Sequence, residues 1–162
     1  MNSTSDPARQ LLRHTVATVA YRGGKALRGA PSSFATFRTN DTTRTPISIL
    51  AHLGDLLDWA VSIAEGKQVW RNAQPGDWLA ESDRFYAALT KFDQYLASDQ
   101  PLHVPAGKLF QGPIADALTH TGQLAMLRRM SGNPIRGENY SKADIAAGRV
   151  GAEQTAPRRE FD

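Results

Sequence analysis

The chain has 162 residues, of which 41% are hydrophobic and 22% are charged. These proportions are typical of a globular protein and exclude a disordered, collagen-like or mucin-like chain. The absence of cysteine excludes disulfide frameworks, thiolate zinc sites and a cysteine nucleophile. The formal net charge is only +3, and no helix-turn-helix, zinc-finger or RNA-binding signature accompanies it. We therefore expect no nucleic-acid partner.

The beginning of the chain, residues 1–7, lacks the basic and apolar regions of a secretory signal. No uninterrupted apolar run approaches the roughly 18 residues of a membrane span. We therefore expect a cytoplasmic protein without a membrane partner. The length fits one domain, predicted over 1–156, followed by a loose charged tail at 157–162.

The first predicted helix begins at Pro7, behind Asp6 as N-cap, and continues through Ala20. The glycine pair at 23–24 is where this helix ends or kinks, although the next residues have the composition to resume it. Residues 30–44 are rich in Pro, Ser, Thr and Asn, and this composition predicts a loop.

The second predicted helix covers 46–65, with Thr45 as its N-cap. Wound at about 100° per residue, this segment has one broad apolar face. Asp55 and Asp58 lie outside that face, and His52 lies at its edge.

A third helix is predicted from Asp77 as cap to Leu96, with the apolar spacing of a bundle helix. Its predicted buried stripe consists of Trp78, Leu79, Phe85, Ala88, Leu89, Phe92 and Leu96. The fourth helix is predicted from Lys108 or Pro113 to Met130, where a Gly-Asn-Pro sequence ends it. The fold class predicted from these four segments is all-α.

Two ionisable residues lie within the predicted apolar stripe of the fourth helix. Asp116 and His120 are four residues apart, so their side chains are neighbours on one helix face. Because burial of an unpaired polar group is costly, each needs a partner. His52 is the only other histidine on a strongly periodic helix. Two imidazoles and one carboxylate leave coordination positions open, as in a catalytic site for zinc, nickel, iron or manganese.

The spacing alone favours a structural role for the same residues. An Asp–His pair at this spacing is often only an ion pair, and a histidine at a helix margin is often half buried. For Trp59 the sequence likewise favours a place in the core over a place in a pocket wall. Tyr140 has no local activating group. The sequence has no phosphate-binding glycine loop, nucleophile elbow or HExxH motif.

Three stretches carry a family resemblance. They are the segment 45–59 with His52, the His-Thr-Gly-Gln-Leu run that begins at His120, and the tail at 139–151. Together they resemble the DinB-like (YfiT-like) superfamily over most of 46–154.

The resemblance implies an up-down-down-up four-helix bundle, typically a homodimer, that holds a divalent cation. The implied ligands are one histidine of the second helix, which His52 matches, and two histidines four apart on the last helix, of which His120 matches the second. Asp116 stands where the other histidine is usual. A carboxylate there still ligates and favours manganese or iron, or else it marks a member that has lost its metal.

Proteins of this superfamily include metal-dependent transferases of low-molecular-weight thiols, a mycothiol-dependent isomerase and hydrolases. The resemblance therefore implies a thiol-S-transferase or hydrolase that acts on a small molecule. Gln123, one turn beyond His120, either orients a ligand or bound water or simply packs. Further candidates for the surroundings of the metal are Trp59, Asp55 and Tyr140. The alternative is a non-catalytic bundle, a ligand-binding or stress-related interaction protein without metal.

Overall fold

The structure, a computed structural model, describes residues 6–162. Residues 1–5, which belong to the predicted domain and to the segment tested for a signal sequence, lie outside the described residues. The protein is mostly helical, which confirms the all-α prediction. The helices are α1 (Pro7–Leu27), α2 (Pro46–Ala64), α3 (Trp78–Ala97), α4 (Ala106–Leu109) and α5 (Ala115–Met130), with a π-helical turn at Phe110–Ile114 that joins α4 to α5. Short 3-10 turns lie at Ser32–Thr36 and Tyr140–Lys142.

The three N-caps predicted from the sequence are confirmed. Asp6, Thr45 and Asp77 each accept a hydrogen bond from a backbone amide in the first helical turn, at 2.9, 3.4 and 2.8 Å respectively. Each bond satisfies an amide that the start of a helix leaves without a partner. The starts of α1, α2 and α3 are therefore specified locally.

α3 packs against both α1 and α2. Arg13, in the first half of α1, binds Asp93 near the end of α3 at 2.9 Å, so these two helices are antiparallel. The ends of α2 and α3 meet where the Tyr95 hydroxyl donates to the carbonyl of Ala64 at 3.2 Å. α2 and α3 therefore run parallel.

The last helical stretch packs against α1 and α2. Arg128, near the end of α5, donates to backbone carbonyls at the end of α1, so α5 and α1 run in the same direction. Trp59 lies against Gly112, whereas His52, two turns earlier on α2, lies against His120. α2 and α5 are therefore antiparallel, and this direction places His52 beside the first turns of α5.

Two buried arginines bind the carboxyl ends of neighbouring helices. Arg9 of α1 donates to the carbonyls of Leu96 and Ser98 at the end of α3, at 3.2 and 3.1 Å. Arg128 of α5 donates to the carbonyl of Ala26 at the end of α1, at 3.0 Å. Because the last carbonyls of a helix lack intrahelical partners and carry partial negative charge, a guanidinium stabilises them. These contacts hold the helix ends together.

α2 supplies most of one side of the hydrophobic core. Its buried apolar residues are Ile49, Leu50, Ala51, Leu53, Leu56, Leu57, Ala60, Val61, Ile63 and Ala64. Among residues 6–162, α2 is the one helix long and apolar enough to cross a membrane, and 67% of that stretch is buried inside the protein. A buried core helix meets the same test, so this composition is weak evidence for a membrane span.

α1 does not end at Gly23 and Gly24, but continues to Leu27. A β-carbon at Gly23 would lie 2.7 Å from the Phe85 ring, and one at Gly24 would lie 2.8 Å from the hydroxyl of Tyr86. The glycines therefore allow α1 to approach α3 closely. A pair of glycines often marks the end of a helix, but here the two glycines are explained by the tight packing of α1 on α3.

The end of the chain also differs from the prediction of a loose tail. Glu160–Phe161 forms strand β2, which pairs antiparallel with strand β1 at Gly137–Glu138. The Glu160 carboxylate lies 3.3 Å from both Lys25 and Arg136. These ion pairs attach the last residues to α1 and to the segment before β1.

Leu79, predicted in the buried stripe of the third helix, is 71% exposed. α3 begins with Trp78, whose ring packs edge to face on Phe34 with 5.5 Å between ring centroids. This contact orients the first turn of α3, and the neighbouring position of Leu79 then points to solvent.

Substitution of Gly23 by alanine tests the close packing of α1 on α3. Alanine is favoured over glycine within a helix by about 1 kcal/mol, but the new β-carbon would overlap the fully buried Phe85 ring. We expect Gly23→Ala to lower the free energy of unfolding by about 1–3 kcal/mol, as overpacking does. Urea denaturation measures the change.

Gly122→Ala is the matched control, because a β-carbon at this position of α5 has no atom within 4 Å. We expect this variant to be more stable than the wild type by up to about 1 kcal/mol. Equal changes in the two variants would contradict the packing explanation.

Candidate metal centre

Two antiparallel helices bring the three predicted ligands together. His52 comes from α2, and Asp116 and His120 come from the first turns of α5. One potential ligand atom from each residue lies within 4.8 Å of the other two. The three predicted ligands therefore lie close together, and we refer to them as the His-Asp-His cluster.

Each oxygen of the Asp116 carboxylate faces one imidazole nitrogen. The Oδ1 atom lies 3.4 Å from Nε2 of His120, and the Oδ2 atom lies 3.9 Å from Nε2 of His52. The two imidazole rings are nearly perpendicular, with 4.7 Å between their centroids. Ligands about 2.1 Å from a tetrahedral zinc ion are about 3.4 Å apart, so the cluster needs little adjustment to hold a cation.

The cluster lies at the protein surface and not in its core. The side chains of His120 and His52 are 12% and 20% exposed, whereas that of Asp116 is 47% exposed. The expectation of a buried carboxylate is therefore wrong, because Asp116 lies at the solvent side of the α2 and α5 contact. A cation held here would have coordination positions open to solvent.

Gln123 fixes the orientation of the His120 ring. Its Oε1 atom lies 2.7 Å from Nδ1 of His120. Because an amide oxygen only accepts hydrogen bonds, the proton of this contact is on Nδ1, and in the neutral imidazole the lone pair of Nε2 then faces Asp116. Metal-binding histidines are usually oriented by such an acceptor. Gln123 is exposed, so of the two roles predicted for it the structure favours orientation over packing.

Two tryptophans flank the cluster on the α2 side. The Trp70 ring lies edge to face against His52, 5.6 Å between centroids, and against Trp59, 5.7 Å. Trp59 is thus part of the surroundings predicted from the sequence, whereas Trp70 was missed. The signal that could have identified Trp70 is its apolar pair with Val69 within an otherwise polar loop.

The pKa of His52 is lower than the ordinary histidine value. Burial is the largest cause, followed by repulsion from His120 when that residue is protonated and from the positive charge of Arg44. The carboxylates of Asp116 and Asp55 act in the opposite direction but do not outweigh these effects. A lowered pKa keeps the His52 imidazole neutral near pH 7, which is the form that binds metal.

Asp55 has a structural role near the cluster. Although it lies outside the apolar face of α2, it is buried, because Arg84 of α3 pairs with it at 3.0 Å. Its carboxylate also accepts the backbone amide of Ala73 at 3.2 Å. Asp55 therefore anchors α3 and the loop before it to α2, and it acts on His52 only through its charge.

The structure does not bring Tyr140 to the cluster. Its ring lies 6.3 Å from that of Tyr21 and 4.3 Å from the guanidinium carbon of Arg22, both on α1. These contacts hold the segment after β1 against α1. Tyr140 therefore has no place in the proposed site.

Two cavities lie beside the cluster, and Arg44 lines both. A polar cavity of about 190 Å³ includes Ser48, His52 and Asn72 in its wall. A larger, mainly apolar groove has a volume of about 600 Å³. Its wall includes Ile49, Gln123, Met126, Leu127 and Met130. Met130, the last residue of α5, is exposed at this groove.

No family model matches the chain. Comparisons with curated proteins and with solved structures give no match either. The resemblance to the DinB-like superfamily therefore stays a prediction from the sequence, and the geometry of the His-Asp-His cluster is the main clue to function.

Proposed function

We propose that this protein is a divalent-metal-dependent enzyme of the DinB-like superfamily, a thiol-S-transferase or hydrolase acting on a small molecule. The observation that carries the proposal is the convergence of ligand atoms from His52, Asp116 and His120 within 4.8 Å. Two helices far apart in sequence contribute these atoms.

The geometry of the cluster favours a metal site over a hydrogen-bonded trio. Hydrogen bonds between nitrogen and oxygen are about 2.7–3.2 Å long, but the distances here are 3.4 and 3.9 Å. In neutral His120, moreover, Nε2 has a lone pair, because Gln123 accepts the Nδ1 proton. This lone pair and the Asp116 carboxylate are both electron donors, and a cation between them relieves their repulsion.

The arrangement of the helices supports the proposed fold family. α1 and α3 are antiparallel, α2 and α3 are parallel, and α2 and α5 are antiparallel. This order of directions is the up-down-down-up order of the proposed DinB-like four-helix bundle. The homodimer and the cytoplasmic location belong to the same proposal.

The donor set fits zinc, iron, manganese or nickel, with His52, Asp116 and His120 as ligands. Such an ion, when bound, lowers the pKa of a coordinated thiol or water and so supplies a nucleophile at neutral pH. Gln123 holds the proton on Nδ1 of His120, which keeps Nε2 free to ligate. Trp70 packs against one side of the His52 ring, and Trp59 packs against Trp70.

Metal content tests the proposal directly. We expect wild-type protein, purified without chelator or nickel resin, to hold about one divalent ion per chain, measured by inductively coupled plasma mass spectrometry. His120→Ala removes a ligand and should lose this ion. The control is His14→Ala, which removes an exposed histidine of α1 outside the cluster. A wild type that holds no metal and binds none on titration with zinc, nickel, manganese or iron(II) would rule out the metal site.

Substitution of Gln123 tests its orienting role. Loss of such a partner typically lowers metal affinity about 10–100-fold, and we expect this loss for Gln123→Ala. Gln123→Glu keeps an acceptor oxygen and should retain most of the affinity. The control is Gln94→Ala, at an exposed position of α3. Competition with a chromogenic chelator measures the affinities; equal values for wild type and Gln123→Ala would assign Gln123 to packing alone.

Metal affinity should depend on pH with a defined sign. Histidine binds metal as the neutral imidazole, so protons compete with the ion as pH falls. Because the pKa of His52 is lowered, protons begin to compete with the metal for His52 only below the ordinary histidine pKa of about 6.5. We expect a constant affinity near pH 7–8 and a progressive loss below about pH 6. Calorimetric titration at each pH measures the metal affinity. An affinity that stays constant from about pH 5 to 8 would contradict ligation by histidine.

A further inference from the structure

Arg44 is a cation beside the His-Asp-His cluster that lacks an ion-pair partner within residues 6–162. It is exposed, directly before the cap of α2, and its charge contributes to the lowered pKa of His52. Arg84 of α3, by contrast, is paired with Asp55 of α2 at 3.0 Å. An anion is therefore the ligand that Arg44 can accept.

The polar cavity next to His52 offers a second donor to such an anion. Its wall includes Arg44, Ser48 and Asn72. The indole nitrogen of Trp70 donates to Oδ1 of Asn72 at 3.0 Å, which leaves the amide NH₂ of Asn72 as a donor. The carboxylate of Asp55 also lines this cavity, but its pairing with Arg84 offsets its charge.

The apolar groove begins on the other side of Arg44. Four of its wall residues are hydrophobic, namely Ile49, Met126, Leu127 and Met130. Its volume of about 600 Å³ lies within the usual range for small-molecule pockets, and methionine side chains adapt to irregular ligands. Gln123 also lines this groove, and since Gln123 binds His120, the groove reaches the candidate metal centre.

We infer that the candidate metal centre takes a small amphipathic anion, whose carboxylate or phosphate pairs with Arg44 and whose hydrocarbon part lies in the apolar groove. This inference names the substrate class of the proposed enzyme and rests on that function for its catalytic meaning. The binding itself depends only on Arg44 and the groove. Charge on one side and hydrocarbon on the other select against neutral or wholly polar compounds.

Octanoate, octyl phosphate and 1-octanol are suitable probes, since they share one hydrocarbon chain and differ in the head group. We expect at least one of the two anions to bind the metal-free wild type more tightly than 1-octanol, as measured by calorimetry. Arg44→Gln should weaken binding of that anion about tenfold or more, the usual effect of losing a charge-assisted hydrogen bond. The stronger binder of the two anions identifies the head group.

Arg159→Gln is the matched control, because it makes the same charge change at an exposed position near the end of the chain. It should leave affinity unchanged. Met126→Gln should weaken octanoate binding without affecting acetate, since Met126 is an exposed part of the groove wall. Thermal unfolding verifies that each variant is folded.

The inference is overturned if neither anion binds wild type at millimolar concentration, or if Arg44→Gln and Arg159→Gln bind it equally well. Metal content, measured on the same preparations, separates this outcome from failure of the proposed function. A protein that holds metal but shows no dependence on Arg44 keeps the metal centre and loses the anion site. A protein without metal that still shows the Arg44 effect keeps the anion site and loses the enzyme.

Discussion

The π-helical turn at Phe110–Ile114 determines which face of α5 meets α2. Pro113 has no amide hydrogen, and its ring would clash with the preceding turn of a regular α-helix. The chain widens here, so that the amide of Ala115 binds the carbonyl of Phe110, five residues earlier. One extra residue in a helical turn rotates the rest of the helix by about 100°. Because Asp116 begins the next turn, its approach to His52 depends on this local widening.

Buried charged groups elsewhere in the protein are paired at hydrogen-bond distance, unlike the residues of the His-Asp-His cluster. Asp55 is buried but paired with Arg84, and the buried Glu138 forms an ion pair with Lys25 at 2.7 Å. Arg9 is buried too, and carbonyls at the end of α3 accept its hydrogen bonds. In each case donor meets acceptor, as the cost of polar burial requires. In the cluster, by contrast, the Nε2 atoms of His52 and His120 face the Asp116 carboxylate at 3.9 and 3.4 Å, longer than hydrogen bonds, and the proposed cation would bind between these groups.

Features that depend on neighbouring residues could be predicted from the sequence, whereas contacts between distant residues could not. The caps and apolar periodicity of α2 depend on near neighbours, so the helix and the position of His52 on it followed from the sequence. The partnership with His120 was predicted because ligand chemistry limits the choice to few residues. The burial of Asp55 depends on Arg84 of α3, and the contact of Trp70 with His52 depends on a loop. The apolar Val69-Trp70 pair marks Trp70 as a residue of interest, but no local pattern identifies its partner. The same limit applies to the chain end, where Glu160 meets Lys25.

Asp116 and Arg44 both affect the net charge at the candidate metal centre. A divalent ion held by two neutral imidazoles and one carboxylate keeps one positive charge, which is one fewer than three histidines would leave. Arg44 lies close enough to lower the pKa of His52, so its charge is felt at the centre. Asp116 is also half exposed, and water screens part of its negative charge. With a divalent ion bound as proposed, the field at the mouth of the site would be positive, and it would favour the proposed anion although one of the metal ligands is an acid.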